Sequence, residues 1–217
     1  RRHRPSLGRM SLFEVIGLAG VAAAAGAINA VAGGGTILTF PALLAFGTPP
    51  LMANATSTLA LFLGTAGSVV GFRRHLVAVQ PWLWRFVPVS ILGGLLGSML
   101  LTRTNERVFS RLIPFLILFA TLLFLSQGIL RRWMQPGAGR PSPEPEQSYL
   151  GAVAFQLAVA LYGGYFGAGI GILMLAALAL IGFTDIHEMN TLKTVLSALI
   201  NLVATLWFVG AGLIHWP

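Results

Sequence analysis

Residues 27–41 read AINAVAGGGTILTFP, and residues 162–173 read YGGYFGAGIGIL. Both stretches are apolar segments interrupted by clustered glycines, and each is followed by a short apolar run, a polar break and a longer segment with a polar stripe. Glycine clusters break helices because glycine adopts backbone conformations that other residues avoid. Broken helices at corresponding positions of two halves indicate a transport site in a membrane protein. The two stretches therefore predict an all-α, polytopic membrane helical bundle built from two repeats with glycine-broken half-helices.

The composition supports a membrane protein. The 217-residue chain is 56% hydrophobic and only 9% charged, whereas a soluble domain carries about 25% charged residues. A helix needs about 20 apolar residues to cross a bilayer, and we predict six such spans, at 11–31, 52–72, 82–101, 112–130, 149–170 and 190–211. Two shorter apolar segments, 36–47 and 172–183, reach only about 18 Å each. They are half-helices, re-entrant segments or tilted helices.

The chain divides into four predicted parts. These are a basic cytoplasmic N-terminus (1–10), a first membrane repeat (11–130), a proline-rich charged linker (131–148) and a second membrane repeat (149–217). Aligning Asn54 with Asn190 also aligns Thr65 with Asn201. On this alignment the second repeat lacks the counterpart of the last two helices of the first. We expect a naturally short protein, an incomplete chain or a bundle completed by another subunit.

The distribution of arginine predicts the orientation, because cytoplasmic loops are enriched in Lys and Arg. The arginine-rich N-terminus is placed in the cytoplasm. If segment 36–47 is re-entrant, the arginines of 73–85 and 131–140 are also cytoplasmic and only those of 103–111 lie outside. If the segment crosses fully, this bias almost disappears. The rule therefore favours the re-entrant interpretation, which would make the two repeats parallel.

Two predicted helices carry matched polar stripes. At about 100° per residue, the polar residues of each helix share one narrow face. On the helix at 52–72 they are Asn54, Ser57, Thr58, Thr65 and Ser68, and on the helix at 190–211 they are Asn190, Lys193, Thr194, Ser197, Asn201 and Thr205. Such groups are unfavourable in lipid, so the stripes should face protein or a wet cavity. The alternative is interhelical hydrogen bonding, worth about 0.6 kcal/mol per contact.

The glycine breaks and Lys193 together predict an anion site. A half-helix that starts after Gly33–Gly35 directs its N-terminal amides and its positive dipole end into the membrane, and the same holds after Gly167–Gly171. Lys193 is the only lysine, and its charge would attract an anion; alternatively, it snorkels to the interface beside Asp185 and Glu188. The predicted substrate-binding residues are Asn29, Gly33, Gly34, Gly35, Thr36, Asn54, Ser57, Thr58, Gly167, Gly169, Asn190, Lys193, Ser197 and Asn201.

Other patterns predict packing or no function. Gly93, Gly94, Gly97 and Ser98 lie in an unbroken span, where small residues permit close helix contact. The chain has no cysteine, and its four histidines lie in connections or at termini without metal-ligand spacing. No nucleophile–base pair is recognisable. We therefore predict no metal, no cofactor and no enzymatic activity, and we attribute the net charge of +8 to orientation rather than to nucleic-acid binding.

Several stretches of the chain resemble the sulfite exporter TauE/SafE family. They are GAINAVAGGGTIL (26–38), PPLMANATS (49–57), FRRH (72–75), GGLLG (93–97), GGYFGAGIG (163–171) and NLVATLWF (201–208). The resemblance covers nearly the whole chain after residue 10. It implies secondary transport, mostly export, of sulfur-containing anions such as sulfite or organosulfonates. It also implies an integral protein of the bacterial inner membrane.

Two hypotheses remain open. In the first, the chain transports a small anion that is held near the midplane of the bilayer between the two glycine-broken helices. Its partners are then the lipid bilayer and the anionic substrate, with no nucleic acid. In the second, the chain is a non-transporting membrane subunit derived from this family, which assembles as a homo-oligomer or within a larger membrane complex.

Overall fold

The computed structural model of the protein describes residues 12–134, 149–214 and 216. Within these residues, all regular secondary structure is helical. The helices are α1 (Leu12–Ala32), α2 (Thr36–Ala45), α3 (Pro50–Gly71), α4 (Leu76–Arg103), α5 (Glu106–Met134), α6 (Tyr149–Tyr165), α7 (Ile170–Ile181) and α8 (Ile186–Gly210). A 3₁₀ turn, Arg73–His75, joins α3 to α4. The predicted all-α membrane bundle is confirmed.

The predicted spans agree with the helices except at particular ends. In the described part of the chain, four helices are long and apolar enough to cross a membrane. They are α3, α4 together with the 3₁₀ turn before it, α5, and α8. The predicted span 149–170 is wrong at its end, because α6 stops at Tyr165 before the glycine break. With 17 residues, α6 is about 25 Å long. The span predicted at 82–101 starts earlier, since α4 begins at Leu76 and continues through Pro81.

The structure describes only part of the predicted linker. Helix α5 continues to Met134 and so occupies the first four positions of the predicted linker. The rest of that linker and the basic N-terminus lie outside the described residues.

The two ends of the bundle are defined by contacts between α4 and α8. The imidazole rings of His75 and His187 stack with centroids 5.5 Å apart, which places the starts of both helices together. Near the other end, Trp207 Nε1 donates a hydrogen bond to Thr102 Oγ1 (3.2 Å). We call these the His75 end and the Thr104 end, after the residues that precede and follow α4. Because the short turn reverses the chain between α3 and α4, α3 runs antiparallel to α8.

Helices α1 and α2 form a hairpin that opens at the Thr104 end. A Cβ atom on Gly17, early in α1, would lie 3.8 Å from the ring of Phe46, which follows α2. At the opposite end of the pair, Asn29 reaches Gly35. The tip of this first hairpin is therefore the Gly33–Gly35 segment, inside the bundle.

Helices α6 and α7 form a second hairpin that opens at the His75 end. Phe183, just after α7, packs edge-on against Trp82 near the start of α4, with ring centroids 5.1 Å apart. The hydroxyl of Tyr165, the last residue of α6, reaches Thr104 Oγ1 (3.5 Å). The two hairpins thus enter the bundle from opposite ends.

This topology corrects the preferred interpretation of segment 36–47. That interpretation placed the start of α1 on the same side as Arg73 and Arg74, with α3 and α8 parallel. The start of α1 instead lies at the end that carries Arg103 and Arg107, and α3 and α8 are antiparallel. The re-entrant interpretation was wrong because α2 returns the chain to the end at which α1 starts, so α3 carries the chain to the opposite end. The correspondence of the two halves as a sequence repeat stays a prediction.

Small residues bring α4 and α6 into direct contact. A Cβ atom on Gly93 would lie 2.6 Å from Ala160 Cβ, and one on Gly97 would overlap the carbonyl oxygen of Leu161. The same seam contains a hydrogen bond from Gln156 Nε2 to Ser90 Oγ (2.8 Å). The predicted packing role of these glycines is confirmed.

Candidate functional site

The first hairpin tip meets the second through backbone atoms. Gly33 has φ +74°, a left-handed conformation that favours glycine. A Cβ atom there would lie 2.5 Å from Gly171 Cα. The Gly171 amide donates a hydrogen bond to the Gly33 carbonyl oxygen (3.4 Å). The two glycine breaks therefore form one structure, with the N-terminal ends of α2 and α7 on either side of it.

The second tip is held by side-chain donors. Gly167 and Gly169 both have φ +78° and separate α6 from α7. Across this break, Tyr162 Oη donates a hydrogen bond to the Ala168 carbonyl oxygen (2.8 Å). Asn54 Nδ2 of α3 donates to the carbonyl oxygen of Tyr165 (3.0 Å). These bonds fix the position at which α6 ends.

Helix α5 packs along both tips. A Cβ atom on Gly34 would lie 3.4 Å from the ring of Phe124, and one on Gly169 would lie 3.4 Å from Leu123 Cδ1. The predicted start of the first half-helix is confirmed, because Thr36 is the first residue of α2. The second half-helix starts at Ile170, two residues earlier than predicted.

A small polar cavity lies where the stripes of α3 and α8 face each other. Its volume is about 10 Å³, about the space that one water molecule needs. The lining comes from α1, the first tip, α3 and α8. Six of its seven residues have polar side chains, namely Asn29, Thr65, Ser68, Lys193, Thr194 and Ser197, and the seventh is Gly33. The two stripes therefore line one cavity at this point, and its role as part of a pathway stays a prediction.

Lys193 brings a basic group to this cavity. Its side chain is only 2% exposed, although it lies on a helix long enough to span a membrane. This burial favours the site interpretation over snorkelling, in which the ammonium group reaches the membrane interface. Near the start of α8, Asp185 caps the helix by accepting hydrogen bonds from the amides of His187 (2.7 Å) and Glu188 (3.3 Å). A buried lysine within a membrane-spanning helix is typical of a functional site.

The structure brings some of the predicted residues together. Four of them line the cavity: Asn29, Gly33, Lys193 and Ser197. Five more form the adjoining hairpin tips: Gly34, Gly35, Thr36, Gly167 and Gly169. At the first tip, the Gly35 amide donates a long hydrogen bond to Asn29 Oδ1 (3.5 Å).

The other predicted residues lie away from the cavity. Ser57 shares a hydrogen bond with Thr39, in a groove between α1, α2 and α3. Thr58 Oγ1 donates to the Asn54 carbonyl oxygen within α3 (2.9 Å). Asn190 is half-buried in the first turns of α8 and does not line the cavity. Asn54 and Asn201 lie further towards the Thr104 end, and their roles stay predictions.

Three lining residues were absent from the predicted set. Thr65, Ser68 and Thr194 line the cavity, and all three belong to the polar stripes seen in the sequence. The stripe pattern was therefore a sufficient signal for them. The sequence did not show at which residues of α3 and α8 the two stripes approach the first tip.

These features define a class of protein: an integral membrane protein in which two helical hairpins meet beside a polar cavity. The family model of the sulfite exporter TauE/SafE family matches residues 18–217. The chain belongs to this family, as the sequence motifs predicted.

Relatives of the chain point the same way. The chain is 32% identical over 194 residues to a probable membrane transporter protein of Haemophilus influenzae, covering 87% of this chain and 71% of the relative. It is 29% identical over 202 residues to the probable membrane transporter protein YfcA of Escherichia coli K12, covering 90% and 70%. No solved structure matches the chain. The family and these relatives support a membrane transporter.

Proposed function

We propose that the chain is a secondary transporter that exports sulfur-containing anions, such as sulfite or organosulfonates, across the bacterial inner membrane. The family description supports the substrate class and the direction. We further propose that the start of α1 faces the cytoplasm. This orientation keeps the arginine-rich sequence before α1 on the cytoplasmic side, where Lys and Arg are enriched.

The observation that carries the proposal is the position of Lys193. It is buried on a membrane-spanning helix, and it lines the cavity together with hydroxyl and amide side chains. A buried ammonium group is stabilised by an anion. The side-chain amide of Asn29, whose oxygen accepts from the Gly35 amide, supplies an N–H donor for the oxygen atoms of the anion.

The N-terminal ends of α2 and α7 also favour an anionic substrate. The N-terminus of α7 begins beside Gly33, which lines the cavity, and the N-terminus of α2 follows the same tip. Each helix N-terminus carries a positive partial charge, so anions are favoured there. Broken helices with this geometry hold substrate near the midplane in many transporters.

The size of the cavity implies motion. Sulfite has four heavy atoms and needs more space than one water molecule, so the cavity must widen before it can admit the anion. The hairpins enter from opposite ends of the bundle. Displacement of the α1–α2 hairpin would open the site towards the Thr104 end, and displacement of the α6–α7 hairpin would open it towards the His75 end.

Flux measurements in proteoliposomes test the proposal. Vesicles loaded with sulfite, an organosulfonate or sulfate are compared for wild type, Lys193→Ala and Arg103→Ala. We expect Lys193→Ala to lower sulfite flux by about tenfold, equivalent to about 1.4 kcal/mol. Arg103 is exposed, so Arg103→Ala serves as the control and stays close to wild type. Equal flux in the two variants would contradict the role of Lys193, and absence of sulfite or sulfonate flux in wild type would contradict the substrate class.

A further inference from the structure

The polar seam between α3 and α8 continues beyond the cavity, towards the Thr104 end. Because the helices are antiparallel, equal steps away from the cavity along each helix reach facing positions. From Thr65 on α3 and Thr194 on α8, seven residues correspond to about 10 Å and eleven residues to about 16 Å. These steps lead to two facing pairs on the stripes, Thr58 with Asn201 and Asn54 with Thr205.

Two oxygen atoms in this part of the seam lack hydrogen bonds. Asn54 is 1% exposed and Thr205 is 5% exposed. Among the residues that the structure describes, neither Asn54 Oδ1 nor Thr205 Oγ1 has a hydrogen-bond partner. Leaving a buried polar atom unpaired costs about 1–3 kcal/mol, so native proteins normally satisfy such atoms with water or an ion.

The polarity of this region is opposite to that of the cavity. Asn54 Nδ2 donates to the Tyr165 carbonyl oxygen, so the amide orientation is fixed and Oδ1 is left as an acceptor. Tyr165 is the last residue of α6, and the C-terminal end of a helix carries a negative partial charge. Thr58 Oγ1 uses its proton for the Asn54 carbonyl oxygen, so its lone pairs are also acceptors. Acceptor oxygens beside a negative helix end favour a cation.

We propose that Asn54, Thr58, Asn201 and Thr205 form a binding site for a monovalent metal cation such as Na⁺. Neutral oxygen ligands suit a hard cation, and divalent cations normally recruit carboxylates, which these four residues do not provide. Carbonyls at the C-terminal ends of broken helices coordinate Na⁺ in other transporters. Cation binding stands on this geometry alone and does not depend on the proposed function.

Thermal unfolding of the purified protein in detergent, without substrate, tests the site. Wild type is unfolded in NaCl and in choline chloride at equal ionic strength. A ligand that binds only the folded state raises Tm with its concentration, and we expect a rise of about 3–6 °C at a tenfold excess over Kd. Thr205→Val keeps the shape of the side chain and removes an unpaired hydroxyl, so it should fold and lose the Na⁺-dependent rise.

Two further variants complete the test. Thr191 lies on α8 outside the seam and donates to the His187 carbonyl oxygen (2.6 Å), so Thr191→Val should retain the Na⁺-dependent rise. Lys193→Ala should also retain it, even where sulfite flux is lost, which separates this site from the anion cavity. No Na⁺-specific rise in wild type, or an equal rise in Thr205→Val, would overturn the proposal and indicate that internal water alone satisfies these oxygens.

Discussion

The two hairpin tips have similar backbones and opposite surroundings. Each contains clustered glycine, and each precedes a short helix that starts inside the bundle. At the first tip, an acceptor, Asn29 Oδ1, meets a backbone amide over a long hydrogen bond of 3.5 Å. At the second tip, donors from Tyr162 and Asn54 meet backbone carbonyls at 2.8 and 3.0 Å.

The difference indicates that the tips have separate tasks. The first tip lines the cavity through Asn29 and Gly33, and in the proposed function its weak internal bond is exchanged for a bond to the anion. The second tip is held by two shorter bonds and presents carbonyl groups to the Asn54 region. Glycine breaks alone would therefore not predict the charge of a ligand, since the side chains around each break decide which backbone groups stay accessible.

The largest expected effect concerns the contact between the tips. Gly33→Ala places a methyl group against Gly171 in a left-handed conformation. The conformational strain and the overpacking together should destabilise the protein by about 2–4 kcal/mol. Thermal unfolding in detergent measures this loss of stability. Gly20→Ala in α1 is the matched control, because no atom lies within 4 Å of its new methyl group. Equal stability of the two variants would mean that the tips do not touch.

A smaller effect is expected when a donor is removed from the second tip. Tyr162→Phe removes the hydrogen bond to the Ala168 carbonyl oxygen and should lower the free energy of unfolding by about 1 kcal/mol. Tyr165→Phe is the control, since its hydroxyl makes only a 3.5 Å contact with Thr104 and should change stability much less. If both variants lose the same stability, the bond across the break contributes nothing particular to it.

The smallest effect on stability is expected at the first tip. Asn29→Ala removes a long hydrogen bond and should change the unfolding free energy by less than about 0.6 kcal/mol. The same substitution removes a lining group of the cavity, so the KM for sulfite should rise in flux assays. Asn190→Ala, outside the cavity, should leave KM unchanged. A larger KM change in Asn190→Ala would move the anion site along α8.

Much of the fold followed from local properties of the sequence. Hydropathy located the helices, and the glycine clusters gave the break before Thr36 and, within two residues, the start of α7. The orientation did not follow, because charge counts depend on whether each short segment crosses or returns. That choice is made by tertiary contacts, such as Gly17 with Phe46, which carry no signal in charge or hydropathy.

The candidate site could also be predicted only in part from the sequence. Periodicity identified the facing stripes and placed Lys193 on one of them. It gave no register between α3 and α8, so Asn54 and Asn201 were predicted beside Lys193 although they lie about 10–16 Å along the seam. The register depends on the antiparallel topology, which only the packed structure contains.

The direct contact between Gly33 and Gly171 has a consequence for leakage. The tips touch through backbone atoms, so neither has a flexible side chain that could absorb a displacement of the other. A hairpin that withdraws towards its own end leaves its partner in place as the remaining barrier. Simultaneous withdrawal of both would break the contact and create a continuous pore. For the proposed transporter, this means that leakage is avoided only if the two hairpins withdraw in turn.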